Sequence, residues 1–280
     1  MELLVRSNYP LLSLELARRI ELAEARAAVE GAETLARLRP QSGAAIERIA
    51  GGFAVYCGAN SPITQAVGMG LSGAVSEEEF DRLETFYRTR GEPVRVETCP
   101  LADHSFIEQF GKRGYRVTEF SNVMVFPLDA AGGAQAWPGP PAGMSIEKIG
   151  HDEIDLWTLT VSQGFAEHFP VTQEILEVMK MFALGPSAEC YLARIDGKVA
   201  GGATLAIRNG VAGLFGASTL PAFRARGVQT ALLHARLARA AEAGCELAVS
   251  LALPGSTSQR NIVRQGFNVL YTRVKFEKEI

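Results

Sequence analysis

The sequence predicts a mixed α/β fold, with a mixed sheet flanked by helices, built from two halves of similar order. Three observations carry this. Short apolar runs bounded by Gly, Pro, Asn and Asp recur between amphipathic helical segments. A Gly- and Pro-rich stretch, residues 129–143, breaks every period and divides the chain into 1–128 and 144–280. The order of strands and helices ahead of that linker returns behind it, as expected of an old duplication.

In the first half, apolar residues at Leu12, Leu16, Ile20 and Ala23 give helical spacing over Leu11–Leu38, which Pro40 and Gly43 end. Ala45–Ile49 and Phe53–Cys57 read as strands, and Ile63–Leu71 as a looser apolar stretch. Ser76 with Glu79 three positions on forms a capping box for a helix carrying Phe80, Leu83, Phe86 and Tyr87, with Gly91 as its stop. Val94–Thr98 reads as a strand and Asp103–Arg113 as a helix with Phe106, Ile107 and Phe110 inward. Gly114-Tyr115 then opens a strand system running to Leu128.

The second half opens with strand Met144–Lys148 and helices near Ile154–Gln163 and Thr172–Ala183. Asp196-Gly197 and Asn209-Gly210 sit between apolar runs as hairpin turns, giving strands Cys190–Ile195, Lys198–Ile207 and Val211–Thr219. A helix to about Ala243, strand Glu246–Leu251, helix Ser256–Gln265 and strand Val269–Glu277 complete the order.

With 280 residues, 47% hydrophobic and 21% charged, the chain is long enough for two compact domains. A formal net charge of -3 argues against a broad nucleic-acid or polybasic membrane surface. No apolar run is long enough to span a bilayer, and the N-terminus lacks the order of a signal peptide. Cys57, Cys99, Cys190 and Cys245 are scattered with no Cys-x-x-Cys or Cys/His cluster, so the expectation is no metal, free buried thiols and a cytoplasmic setting.

The chemistry concentrates between Leu214 and Leu233. An apolar, small-residue strand breaks at Pro221, passes through the basic turn Arg224-Ala225-Arg226-Gly227, and enters a helix. Unpaired N–H groups of that helix start, the positive end of its dipole and two arginines make a site for phosphate or pyrophosphate. The segment has neither the Gly-Lys-Ser/Thr of a Walker loop nor a Gly-x-Gly-x-x-Gly fingerprint. Arg224-Ala225-Arg226-Gly227-Val228-Gln229 instead resembles motif A of the GNAT superfamily of acyl-CoA-dependent N-acyltransferases, Gln/Arg-x-x-Gly-x-Gly/Ala, with Gln229 in place of the small residue. The element order over 144–280 and Gly266-Phe267 before the final strand match the same family, and the first half looks like a second, degenerate copy.

The resemblance implies a GNAT fold in tandem, with acetyl-CoA as co-substrate. It implies backbone pairing of the pantetheine arm at Ser218, Thr219 and Leu220. The pyrophosphate would be held by Arg224 and the amides of Arg226, Gly227, Val228, Gln229 and Thr230, with Ser258 touching the cofactor. The tyrosine that many relatives place four residues before the Gly-Phe glycine is Ile262 here. Tyr271 on the last strand is the candidate acid, with an ordinary half-buried strand tyrosine as the alternative. Glu167 and His168, in the loop between the first two helices of the second half, are candidate bases, with a solvated loop as the alternative. The expected activity is N-acetylation of a small primary amine or amino-acid-like acceptor. A non-catalytic acyl-CoA sensor and acylation of a protein or aminoacyl group remain open, as does a homodimer.

The first half differs at the equivalent helix start, where Ser76 is followed by Glu77, Glu78 and Glu79. Carboxylates there stabilise the helix but carry the wrong sign for a pyrophosphate. The first half is therefore expected to bind no CoA and to serve packing or substrate shaping.

Overall fold

The computed structural model describes residues 9–59, 61–128, 137–167 and 170–279. The first half contains α1 (Leu14–Leu38), β1 (Ala45–Ile49), β2 (Gly52–Tyr56), β3 (Gln65–Val67), α2 (Glu77–Arg88), β4 (Val94–Thr98), α3 (His104–Lys112) and β5 (Arg116–Pro127). The second contains β6 (Met144–Lys148), α4 (Ile154–Gly164), α5 (Gln173–Ala183), β7 (Ala188–Ile195), β8 (Lys198–Arg208), β9 (Val211–Thr219), α6 (Val228–Glu242), β10 (Leu247–Ala252), α7 (Thr257–Arg264) and β11 (Asn268–Lys278). Local signals set several ends. The Ser76 capping box forms in both directions, Ser13, Thr172 and Ser256 cap α1, α5 and α7, and Asp103 caps α3.

Among the described residues the eleven strands join one sheet in the order β1-β2-β3-β4-β11-β5-β10-β9-β8-β7-β6. Within each half one neighbouring pair is parallel, β3 with β4 and β9 with β10. The last strands are exchanged between the halves. β11 runs antiparallel to β4 of the first half, and β5 runs antiparallel to β10 of the second. The two exchanged strands pair with each other from Asn268↔Val125 to Glu277↔Arg116, interrupted by two register shifts. Each half thus donates the strand that completes the other's sheet. The 129–143 linker separates the halves in sequence, whereas the sheet runs across both.

Strand alternation gives the sheet two buried faces. Ala212 and Leu214 of β9 pack with Leu232 and Leu237 of α6 on one face. Val211 of β9 and Leu247 of β10 pack with Ala17 and Ile20 of α1 on the other. Further along, α1 lays Ala25 and Val29 on Phe53 and Val55 of the first half, so one helix straddles both halves.

An ion pair ties α1 to β8. Arg208 Nη2 and Nε donate to Glu30 at 2.5 and 3.0 Å, and Ser187 Oγ donates to the same carboxylate at 2.9 Å. Burial alone would raise the Glu30 carboxyl, but the Arg208 hydrogen bonds and charge outweigh it and hold it below its ordinary value. The stability contributed is therefore full above the ordinary glutamate range and is lost as pH falls through the lowered folded value. Glu30→Gln is expected to cost about 2 kcal/mol at neutral pH. Urea unfolding at pH 7 and at pH 3.5 measures it. An equal loss at both pH values rules out the charge as its source.

Candidate functional site

β9 and β10 run parallel from Leu247↔Val211 to Ser250↔Leu214, and there their ladder ends. The cause is local. Thr204↔Phe215 is followed by Gly202↔Ser218, so β9 carries one residue more than β8 across the same span. Gly216, inside this bulge, has φ +60, a conformation that side chains with a Cβ resist. The bulge turns β9 away from β10 while its other edge stays on β8, through Gly201↔Thr219 and the Leu220 amide to the Ala200 carbonyl. Arg236 of α6 braces the bend, donating from Nη1 to the carbonyl oxygens of Thr204 at 2.9 Å and Phe215 at 3.4 Å. Its burial pulls the guanidinium down to about 10, which still leaves it charged at neutral pH.

The opened strands leave a cavity of about 460 Å³ that passes through the sheet. On the α6–α7 face it is lined by Gln229, Leu233, Arg236, Ser258 and Ile262. Leu214–Ala217 of β9 and Ser250 and Leu251 of β10 line the gap itself. On the opposite face the walls come from α1, β3, β4, α4, α5 and β11, including Glu24, Glu97, Trp157, Phe165, Phe182 and Arg273. The passage thus joins the edge of β9 beside α6 to the α1 side of the sheet.

The basic turn stands at the α6 end of this passage. Ala225 has φ +60 and Gly227 φ +79, so left-handed residues alternate with right-handed or extended ones and turn successive amides inward. Among the described residues the amides of Ala225 through Thr230 have no protein acceptor; the first α6 bond is Ala231 N–H to the Gly227 carbonyl. Arg226 lies over the Phe223 ring at 5.9 Å, and both arginines are exposed. The arrangement suits a phosphate-bearing ligand. The Gln229 side chain, unusual for this motif, is tethered across to α7, where Asn261 Nδ2 donates to its Oε1 at 3.0 Å.

The residues singled out in the sequence fall into four groups. Gln229 and Ser258 line the cavity; Gly227, Val228, Thr230, Arg224 and Arg226 form the turn and helix start beside it. Ser218 and Thr219 form the splayed end of β9, whereas Leu220 follows the strand with its amide spent on the Ala200 carbonyl and its carbonyl on the Phe223 amide, so it does not offer the free backbone N–H expected of it. Ser218 Oγ donates to the Val161 carbonyl at 3.1 Å, holding α4 against the strand. Gly164 permits that approach, since a Cβ there would lie 2.3 Å from Ser218 Oγ. Of the three proposed catalytic residues, the two described, Glu167 and Tyr271, are not brought together and neither lines the cavity. Glu167 Oε1 accepts from Arg224 Nη1 at 2.7 Å outside the cavity wall, and His168 lies outside the described residues. Tyr271 is 6% exposed and donates its hydroxyl to Glu21 Oε1 at 2.7 Å. Burial, and then the Glu21 carboxylate, raise its pKa well above the ordinary tyrosine value. His234 Nε2 meets Gln265 Oε1 at 3.0 Å, joining α6 to the end of α7.

Sequence reasoning missed the acidic end of the cavity. Glu21 and Glu24 of α1, Glu97 of β4 and Arg273 of β11 line it together. One signal was available: Glu21 and Glu24 recur at helical spacing beside Ile20, Ala25 and Ala28, on what is otherwise the apolar face of α1. Their meeting with Glu97 and Arg273 depends on the strand exchange and had no local trace.

The matching space in the first half is closed. Phe80 of α2 meets Phe106 and Phe110 of α3 at ring distances of 5.4 Å each, and Phe110 stacks on Phe276 of the exchanged β11 at 4.1 Å. Phe106 and Phe110 precede Gly114 by the same steps as Ser258 and Ile262 precede Gly266. Rings therefore fill the α2–α3 space whose α6–α7 counterpart is open.

Among the described residues no group of three or more His, Cys, Asp or Glu is placed to hold a metal ion, and no helix is long and apolar enough to cross a membrane. The four cysteines are buried free thiols.

Residues 147–267 match the family described as Acetyltransferase (GNAT) family. No curated protein matches the sequence. Among solved structures the chain is similar to a GCN5-related N-acetyltransferase from Kribbella flavida, at 16% identity over 91% of this chain and 95% of that one, with a TM-score of 0.64. It is also similar to a tandem GNAT protein from the clavulanic acid biosynthesis pathway, at 14% identity over 72% and 69% of the two chains and a TM-score of 0.55. A third likeness is to a GCN5-related N-acetyltransferase from Sphaerobacter thermophilus, at 19% identity over 72% and 65% and a TM-score of 0.51. At these identities the likeness is one of fold. Residues 147–267 are therefore a domain of the GNAT acetyltransferase family, and the chain as a whole has the fold of a tandem GNAT protein.

Proposed function

We propose that this protein is an acetyl-CoA-dependent N-acetyltransferase that acts on a small primary amine or amino-acid-like acceptor. The observation that carries the reading is the cavity through the sheet, with anion-binding amides at one end and carboxylates at the other. In this reading residues 144–280 form the catalytic domain. Residues 1–128 form a degenerate copy that binds no CoA and shapes the acceptor side. The Glu77–Glu79 helix start and the closed aromatic cluster support that division.

The residues would act as follows. The amides of Arg226 through Thr230, with Arg224 and Arg226, hold the diphosphate of the donor. The β9 edge turned from β10, at Ser218 and Thr219, takes its amide-bearing arm as an added strand, with Leu220 fixing the strand end through its bond to Ala200. A carboxylate accepts a proton from the acceptor ammonium, freeing the nitrogen lone pair to attack the thioester carbonyl. The Arg224–Glu167 ion pair would open or rearrange as the diphosphate arrives, because both anions compete for one guanidinium.

A second reading has one observation in its favour. Ile262, at the position where many relatives carry a tyrosine, lines the cavity and cannot donate a proton. That fits a CoA-binding sensor without transfer. Calorimetry with CoA followed by a thiol-release assay across an amine panel separates the two. The combined Arg224→Glu and Arg226→Glu variant is expected to weaken CoA binding by about 100-fold, the scale of losing a charge-assisted hydrogen bond or two. Unchanged affinity removes the donor site. Tight CoA binding with no amine-dependent thiol favours the sensor.

A further inference from the structure

The acidic end of the cavity is unevenly compensated. Glu21 Oε1 receives the Tyr271 hydroxyl and Arg273 Nε, both at 2.7 Å. Glu97 faces Arg273 Nη1 at 3.5 Å and Lys275 Nζ at 3.4 Å, and Lys275 is shared with Glu119 of β5 at 3.3 Å. Glu24 has one 3.5 Å contact, to Arg273 Nη1. Its side chain keeps 29% exposure, and it lines the cavity. Two buried polar atoms of cavity-lining residues, Arg273 Nη2 and Gln65 Oε1, have no hydrogen-bond partner among the described residues. Beyond this cluster the wall is apolar, with Ala28, Ile63, Val67, Phe165, Met179 and Phe182.

We infer that the acceptor is a primary amine with one ammonium and an apolar body, the ammonium held at Glu24 and the body laid against the α1–β3–α4–α5 wall. The inference rests on the acetyltransferase reading and deepens it. Glu21 and Glu97 have closer or additional cationic partners, whereas Glu24 has only the 3.5 Å contact to the shared guanidinium, so it is the carboxylate placed to take one further cation. A polyhydroxylated or polycationic acceptor carries more polar groups than the two unpartnered atoms there, Arg273 Nη2 and Gln65 Oε1, can meet, and would leave the rest unpaired against aromatic and aliphatic side chains. The first half contributes α1, β3 and β4 to this side and the second half α4, α5 and β11, so the acceptor site is built by both.

The chemical step balances within the pair of substrates. Glu24 takes one proton from the bound ammonium, and the freed nitrogen pair forms the N–C bond at the thioester carbonyl. The C–S bond then breaks with its electrons on sulfur, and the second nitrogen proton, released as the amide forms, neutralises the thiolate. Burial raises the Glu24 carboxyl above its ordinary value; Arg273 opposes this, and Glu21 and Glu97 add to it. A base so shifted is closer in pKa to the task at neutral pH than an exposed glutamate.

The test uses the full chain with saturating acetyl-CoA and measures thiol release with phenethylamine, hexylamine, putrescine, glycine, glucosamine and an aminoglycoside. Phenethylamine or hexylamine is expected to exceed the others at least about tenfold in kcat/KM, the scale of matching or mismatching a buried polar group. Glu24→Gln is expected to lower kcat by about 100-fold, the usual share of a general base, and to remove the acid limb of the pH profile. CoA affinity should stay unchanged. Ala28→Phe, which narrows the apolar wall, is expected to raise KM for phenethylamine and leave CoA binding alone. Preference for the polycationic or hydroxylated amines overturns the inference while leaving acetyl transfer intact, as does full activity of both variants. If no amine releases thiol, the acetyltransferase reading fails. Phenethylamine binding to the protein–CoA complex then decides the acceptor site, and equal heat from wild type and Glu24→Gln, or none from either, overturns it.

Discussion

Substituting Ser258→Phe together with Ile262→Phe is expected to lower CoA affinity by at least about 100-fold, roughly 2.7 kcal/mol, with the fold retained. The first half carries out the same experiment naturally. Phe106 and Phe110, at the matching positions of α3, are each 1% exposed and pack edge to face at 5.0 Å. They occupy the α2–α3 space whose α6–α7 counterpart, lined by Ser258 and Ile262, is part of the open passage. Ser258 is exposed and Ile262 half-buried, so added rings meet open space before they meet packed core. Calorimetry with CoA and a thermal melt check the two halves of the prediction. Undiminished CoA binding by the double variant means the ligand does not use this passage. The reverse exchange, Phe106→Ser with Phe110→Ile, is expected to create no CoA site, because Glu77, Glu78 and Glu79 still occupy the α2 start. It should instead cost about 3–5 kcal/mol or more through hollowing of the aromatic cluster.

Arg273→Met is expected to destabilise the protein by about 3–5 kcal/mol, because removing one partner of a buried ion pair leaves uncompensated charge behind. At a few degrees per kcal/mol for a chain of this size, the melting temperature should fall by about 10 °C. Arg273 and Glu21 are 2% and 3% exposed as side chains, and Glu97 is 14% exposed. Burial pulls the Arg273 pKa down, but the Glu21, Glu24 and Glu97 charges outweigh it and hold the value well above that of an ordinary arginine. A cation raised in this way contributes its full stability below its unfolded value, so the cluster works throughout the neutral and acidic range until the carboxylates protonate. Combining Arg273→Met with Glu21→Gln, Glu24→Gln and Glu97→Gln should recover part of the loss, since the charges left behind are then gone. A single variant as stable as wild type refutes the account. The cluster joins α1 and β4 of the first half to β11 of the second, so its loss should also loosen the exchanged strands.

Much of the architecture is written locally. The basic turn, the αL glycine at Gly227 and the Gly266-Phe267 landmark are all visible in order along the chain, as are nearly all the helices and strands. So is the disarmed helix start in the first half, where the Ser76–Glu79 capping box forms. These features depend on residues within one or two turns of each other, where spacing and turn chemistry leave a pattern. Helix and strand ends shift by up to three residues, as at α1, which starts at Leu14, three residues inside the apolar stretch, with Ser13 as its cap. The short β3 is three residues where the apolar stretch spans nine, because Gly68 and Gly70 at φ +70 and +74 end the extended backbone.

What the sequence alone determined is the fold family of the second half and the place of its anion-binding turn, because motif, glycine and helix start are contiguous. The tertiary structure alone decided that β5 and β11 change places, and with them the walls of the acceptor side. Strand exchange is a choice among pairings that share the same hydrophobic alternation, so no local pattern distinguishes β4 beside β5 from β4 beside β11. Glu24 and Arg273 lie some 250 residues apart in the chain and meet only because that choice was made.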